Sequence, residues 1–216
     1  MRRQFSGTAK LEPLIRDNTG NPISRPDVLK QLIRNAPTPK PPLDGVYKPA
    51  CVFLLLYKLE DLHILAIQKA DSEGYPWRNQ VALPGGHIDP EDTSPLEGAF
   101  RELQEEVNIK RDQVELLGSI GHFQTINNRD IEVFIGHWNG KGTVRCEQAE
   151  ISRKLEVPVR ALVKTHMAKN YHGRFPDVQE LRYPFKDVII WGVTARILHH
   201  FIELLYPILD KWRLNT

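Results

Sequence analysis

Two apolar runs stand out toward the end of the chain's first third. Residues 51–57 read Cys-Val-Phe-Leu-Leu-Leu-Tyr, and residues 62–68 are nearly as apolar after the polar turn 58–61. Continuous apolar runs of this length, bounded by turn formers, predict two buried strands joined as a hairpin. Residues 71–79 then form a loop rich in turn formers that contains Tyr75 and Trp77. A different period begins at residue 95. Leu96, Phe100, Leu103 and Val107 recur at spacings of three and four, with Ala99 beside them, which predicts one apolar face of an amphipathic helix. Ser94 suits its N-cap, Pro95 its first position, Glu97 a capping box and Asn108 a left-handed C-cap. Two β-rich runs follow, 114–124 and 131–138, separated by Asn127-Asn128-Arg129-Asp130, a second hairpin signal. A short strand at 155–157, a helical turn at 159–164 and strands at 177–184 and 188–190 complete the sheet-forming part. The longest helical stretch is 191–212. Its stripe of Ile197, Phe201, Leu204, Leu205, Ile208, Leu209 and Trp212 is interrupted by Pro207. Docking on the sheet is the expected use of that stripe, and a homodimer interface is the alternative.

Upstream, the pattern weakens. Residues 1–25 are polar, with a turn at 18–21, and read as an extended arm. Val28, Leu29, Leu32 and Ile33 give residues 27–35 one apolar helical face. Pro37, Pro39, Pro41 and Pro42 then impose an extended linker. The expected division is an arm with a short helix and linker over 1–45, and one domain over 46–216 that begins near Val46. Composition adds exclusions. A chain of 216 residues, 41% hydrophobic and 26% charged, has the make-up of one soluble globular domain. A formal net charge of +2 argues for neither nucleic acid nor a membrane surface as partner. The residues after Met1-Arg2-Arg3 are polar, unlike a secretory signal, and the run 52–56 is far too short to span a bilayer. Cys51 and Cys146 read as two free thiols, and a reducing cytoplasm is the expected location. Strands and helices in mixed order suggest α+β or an α/β/α sandwich.

The chemistry concentrates in residues 85–109. Glu102, Glu105 and Glu106 sit at i, i+3 and i+4 and share a helix face, read here as opposite the apolar one. They lie near the helix C-terminus, where the macrodipole disfavours carboxylates. A divalent cation would relieve their repulsion, and Mg²⁺ or Mn²⁺ suits an all-oxygen set. A pair of glutamates on a helix is ordinarily a solvated face. The ordered set Gly85, Gly86, Asp92, Arg101, Glu102, Glu105 and Glu106 is harder to explain that way. Lys69 and Arg78 flank the preceding loop and are candidate phosphate contacts. Trp77, Tyr75 and Phe123 could stack on a base or pack in the core. The eight histidines, His63, His87, His122, His137, His166, His172, His199 and His200, form no recognisable ligand set, and only His87 lies in the loop between the glycine pair and the helix.

This segment resembles the Nudix box of the Nudix hydrolases: Gly, five residues, Glu, seven residues, then Arg-Glu-aliphatic-any-Glu-Glu-any-Gly-aliphatic. Gly86 starts it and Arg101-Glu102-Leu103-Gln104-Glu105-Glu106-Val107 carries its centre. Asp92 replaces the first Glu, eight residues rather than seven separate it from Arg101, and Asn108 stands where Gly is usual. The first two departures are similar to the box of the coenzyme A pyrophosphatase branch. Gln80-Val81-Ala82-Leu83-Pro84-Gly85-Gly86 and Trp191-Gly192-Val193-Thr194-Ala195-Arg196 look like further signatures of that branch. The likeness covers about residues 48–205. The branch's upstream run departs, with Tyr75 at its Arg position and Asn79 at its Gly.

The resemblance implies an α/β/α sandwich around a mixed sheet, and metal-dependent hydrolysis of a nucleoside diphosphate linked to another moiety. Coenzyme A or an acyl derivative is the first substrate, with ADP-ribose, dinucleoside polyphosphates and nucleoside triphosphates as alternatives. A silent nucleotide-binding module or an interaction protein is the competing class. Glu102, Glu105 and Glu106 are the expected metal ligands, joined, by family resemblance, by the Gly85 carbonyl. Arg101 is expected to orient a box carboxylate. Glu150, eight residues before Pro158, is the first candidate general base, ahead of Glu105 and Glu147.

Overall fold

The first apolar run becomes the central strand, β1 (Lys48–Tyr57), in a computed structural model that describes residues 26–43, 45–58, 61–74, 77–206 and 209. Side chains alternate across a strand. Cys51, Phe53, Leu55 and Tyr57 therefore enter one core, and Val52, Leu54 and Leu56 the other. Both faces of β1 are covered, which is why its sequence is continuously apolar.

The strand pairs antiparallel with β2 (His63–Lys69) and parallel with β6 (Arg129–Trp138), from Lys48 opposite Arg129 to Leu56 opposite His137. β5 (Val114–Gln124) flanks β6 as its antiparallel hairpin partner, and β7 (Ile151–Pro158) lies antiparallel along β2. Both expected hairpins and the mixed sheet are present. β1 and β2 pair directly only over Leu55–Tyr57 and His63–Leu65. Beyond that they take separate partners. β4 (Gly85–His87) pairs with Ala50 to Val52, and β3 (Val81–Ala82) with Ile67 and Gln68. This fork sets the glycine pair against the centre of the sheet.

On one face lies α2 (Pro95–Val107), with Ala99, Phe100, Leu103 and Val107 in the core that it shares with Phe53. On the other lie α1 (Pro26–Asn35), α3 (Val159–Ala168) and α4 (Gly192–Leu205). The fold is the expected sandwich of helices about a mixed sheet. Leu29 and Ile33 of α1 are buried in the same core as Phe201, so this core takes in residues upstream of Val46. The proline stretch also lies on the sheet, where the Pro39 carbonyl accepts the His122 N–H at 3.0 Å.

Local rules account for α2. Ser94 is extended, and its Oγ accepts the Glu97 N–H at 3.3 Å; Asn108 closes the helix in the left-handed region at φ 57°. Only half of the expected capping box forms, because the Glu97 carboxylate pairs with Arg111 instead, at 2.7 Å. Elsewhere the boundaries differ from expectation. β7 is longer than 155–157 because β2 offers it seven partners, and α3 runs on to Ala168. The strand expected over 177–184 is mostly a turn. Asp177 Oδ1 accepts the N–H groups of Gln179 and Glu180, both at 2.8 Å, leaving only β8 (Tyr183–Phe185) to pair with β9 (Val188–Ile190). The expected arm, Tyr75, Pro207, Ile208 and Trp212 lie outside the described residues. Among the described residues no helix is long and apolar enough to cross a membrane.

Candidate active site

The fork in the sheet and the last turns of α2 build the site together. Gly85 has φ +143°, and a Cβ there would run into the Cys51 carbonyl and the Val52 backbone. At Gly86 a Cβ would stand 2.5 Å from Glu102 Oε1. Glycine at both positions lets backbone and carboxylate approach closely.

Glu106 departs from expectation. It is only 4% exposed, not on the solvent side of the helix. It follows Leu103 by three residues and Ala99 by seven, so it belongs to the edge of the buried stripe. Its two oxygens are held separately. Lys69 Nζ lies 2.6 Å from Oε1, and the Gly85 N–H donates to Oε2 at 2.8 Å. Burial pushes the Glu106 carboxyl up, while Lys69 and the Gly85 N–H pull against that. Glu102 is also pushed up, first by burial and then by the neighbouring charge of Glu106. Both shifts record negative charge gathered in little solvent.

Arg101 lies beside this cluster as a clamp. Its guanidinium donates to Asp92 Oδ1 at 3.2 Å and Oδ2 at 3.0 Å, to the His87 carbonyl at 3.0 Å, to Glu102 at 3.2 Å and to Glu105 at 2.9 Å. Asp92 also accepts the Asp89 N–H at 2.8 Å. Hydrogen bonds from Arg101 hold the Asp92 carboxyl below the ordinary carboxylate range. The first acid of the box therefore ties the loop before α2 to the helix. A lysine could not reproduce this planar fork. Arg101→Lys is expected to lower turnover about 10- to 100-fold, the usual cost of losing an outer support, with the circular dichroism spectrum unchanged. Wild-type kcat would show that the clamp is dispensable.

The carboxylates open onto a cavity of about 500 Å³. Lys69, Trp77, Gly85, Gly86, His87, Glu102, Glu105, Glu106 and Glu150 line one part, and Val81, Leu83, Ile131, Val193 and Ile197 supply apolar wall. Among the described residues singled out from sequence, Arg78, Asp92, Arg101, Phe123 and Glu147 are absent from this lining. Arg78 is 60% exposed and 3.9 Å from Asp71, outside the cavity lining. Lys69 lines the cavity and is held by Glu106, with Glu150 3.8 Å away. Phe123 is buried against the His200 ring rather than offered as a stacking surface. Glu147 takes a local role, its carboxylate accepting the Ala149 N–H at 3.2 Å.

Sequence reasoning gave no role to Arg129, Thr125 or Thr194, which also line the cavity. The Trp-Gly-any-Thr-Ala-Arg signature was the available signal. It places Val193 and Thr194 at the start of α4, and Arg196 anchors there by donating to the Gln124 carbonyl at 2.9 Å. Even with Lys69 and Arg101 counted, carboxylates outnumber cations at this end. The donors are all oxygen, as hard divalent cations require. The residues present therefore fit such an ion.

A cluster of carboxylates on one helix, packed against a glycine fork in a mixed sheet, defines a candidate metal-assisted hydrolase. The NUDIX domain family model matches residues 48–177, and the chain belongs to the Nudix hydrolase family. Members generally use divalent metal ions. An uncharacterized Nudix hydrolase, NudL, of Photorhabdus laumondii subsp. laumondii is 28% identical over 189 residues, covering 84% of this chain and 97% of that protein. NudL of Yersinia enterocolitica is 28% identical over 127 residues, covering 57% of this chain and 65% of its own. Among solved structures, a C. elegans Ap4A hydrolase binary complex is similar at 20% identity and TM-score 0.46, over 53% of this chain and 83% of that one.

Proposed function

We propose that this chain hydrolyses the pyrophosphate of a nucleoside diphosphate linked to a second group, with coenzyme A or an acyl derivative as the first substrate to test. The observation that carries the reading is the joining of Glu102, Glu105, Glu106 and Glu150 on one cavity that also has an apolar wall and Arg129. Glu102, Glu105, Glu106 and the Gly85 carbonyl would hold Mg²⁺ or Mn²⁺. The bound ion would supply charge neutralisation at the phosphoryl oxygens and a more acidic water.

The chain's own groups do the rest. Glu150 accepts a proton from the attacking water, whose oxygen forms the new bond to phosphorus. The bridging P–O bond breaks, and its electron pair leaves with the departing phosphate. Glu105 is the second candidate for the proton. Lys69 holds Glu106 in place and favours its charged form, Arg129 faces the phosphates, and Trp77 offers a ring to the base. Arg101 acts through the carboxylates and loop that it clamps. ADP-ribose and nucleoside triphosphates demand the same chemistry, so substrate choice rests on the cavity walls.

The deciding experiment incubates the full chain with coenzyme A, acetyl coenzyme A, ADP-ribose and dNTPs, with Mg²⁺ or Mn²⁺, and identifies products by mass. Coenzyme A should yield 3′,5′-ADP and 4′-phosphopantetheine. Cleavage of ADP-ribose alone would move the assignment within the same reaction class. Nucleotide binding by calorimetry without turnover of any substrate would replace hydrolysis by a silent binding module.

A further inference from the structure

The helix layer opposite α2 holds a second cluster of ligating side chains, remote in sequence from the box. His166 of α3 is fully buried, and its Nε2 lies 2.7 Å from Glu203 Oε1. His172, in the loop after α3, places Nδ1 3.0 Å from the same oxygen. Glu203 comes from the last turns of α4. We propose that His166, His172 and Glu203 form a second metal site of this protein, which takes Zn²⁺ or a similar borderline transition-metal ion.

The donor set and the spacing both support an ion. The three ligand atoms lie within 4.8 Å of one another. Tetrahedral zinc with bonds of about 2.0–2.1 Å needs ligand atoms about 3.4 Å apart, so shifts of about an ångström would seat it. Two imidazole nitrogens and one carboxylate oxygen suit Zn²⁺ and not Mg²⁺, which takes oxygen. They also leave a coordination position for water. The cavity beside Glu203, about 480 Å³ and lined by His199, His200 and Gly173, gives access to it.

The surroundings are built as an outer shell would be. The Tyr183 hydroxyl lies 2.8 Å from His166 Nδ1, which orients the ring and directs Nε2 at the cluster. The Gly173 N–H donates to Glu203 Oε2 at 3.2 Å, which leaves Oε1 as the convergence point for both rings. His172 stacks on Tyr206. Two rings from different segments meet at one carboxylate oxygen. An ion there would tie the loop after α3 to both α3 and α4.

The test uses the full chain, stripped with EDTA and dialysed into excess Mg²⁺ so that the acidic cavity does not compete. Titration with Zn²⁺ against a chromophoric chelator should show one equivalent bound, together with a rise in melting temperature. His172→Ala changes a partly exposed loop residue and should fold normally. It and Glu203→Gln should each weaken Zn²⁺ binding at least about 10-fold and abolish the thermal shift. Glu106→Gln should leave Zn²⁺ binding intact. Absence of binding by the wild type, unchanged binding in both cluster variants, or loss only in Glu106→Gln would each overturn the proposal.

Discussion

Glu106→Gln is expected to reduce metal-dependent turnover about 10²- to 10³-fold, the scale of losing one preorganised electrostatic group from an active site. The substitution keeps the side chain's shape, and its amide oxygen can still accept the Gly85 N–H. It removes the charge that Lys69 meets at 2.6 Å in a nearly closed setting. Glu150 lies 3.8 Å from the ammonium and would remain beside it. Loss of so close a charged contact in a nearly closed setting costs about 1–3 kcal/mol, measurable by urea denaturation. Lys69→Met in the Glu106→Gln background should return much of that stability while leaving turnover low. The pair of measurements separates a charge needed for stability from one needed for chemistry. Near-wild-type kcat in Glu106→Gln would remove the box from the proposed metal site.

Gly85→Ala should be the most destabilising single change at the site, at about 3 kcal/mol or more. Two costs combine. The residue sits at φ +143°, where side chains are strained, and its Cβ would meet backbone that has no rotamer to give way. Gly140→Ala is the control. That glycine also has positive φ, 73°, but no atom lies within 4 Å of its notional Cβ. It should lose only about 1–2 kcal/mol. A difference between the two isolates the collision with Cys51 and Val52. Equal losses would mean that β4 can move away from β1, and the fork would then be softer than its register suggests.

The parts of this molecule that follow from neighbouring residues were legible in advance. The start and end of α2 came from Ser94, Pro95 and Asn108, whose conformational preferences act within one turn of helix. The hairpins came from apolar runs and the turns between them. Glu97 shows the limit of such reasoning, since the box pattern was present but Arg111, fourteen residues on, captured its carboxylate. The strand expected over 177–184 failed for a related reason. Asp177 can bond its own following backbone, and that local turn prevailed over an extended run.

The periodicities, the caps and the carboxylate-rich box can be read along the chain, because each depends on contacts a few residues apart. The burial of Glu106 comes from packing between distant segments, because β4 and Lys69 must close over the end of α2. Such packing also decides that Arg129 and Thr194 line the cavity, that Arg78 does not, and that α1 joins the core. The same holds for the histidines, which looked scattered along the chain. Thirty-one residues separate His172 from Glu203, yet their atoms come within 3.0 Å. Helix order and sheet pairing bring such groups together, and a pattern read along one strand or helix contains no record of either.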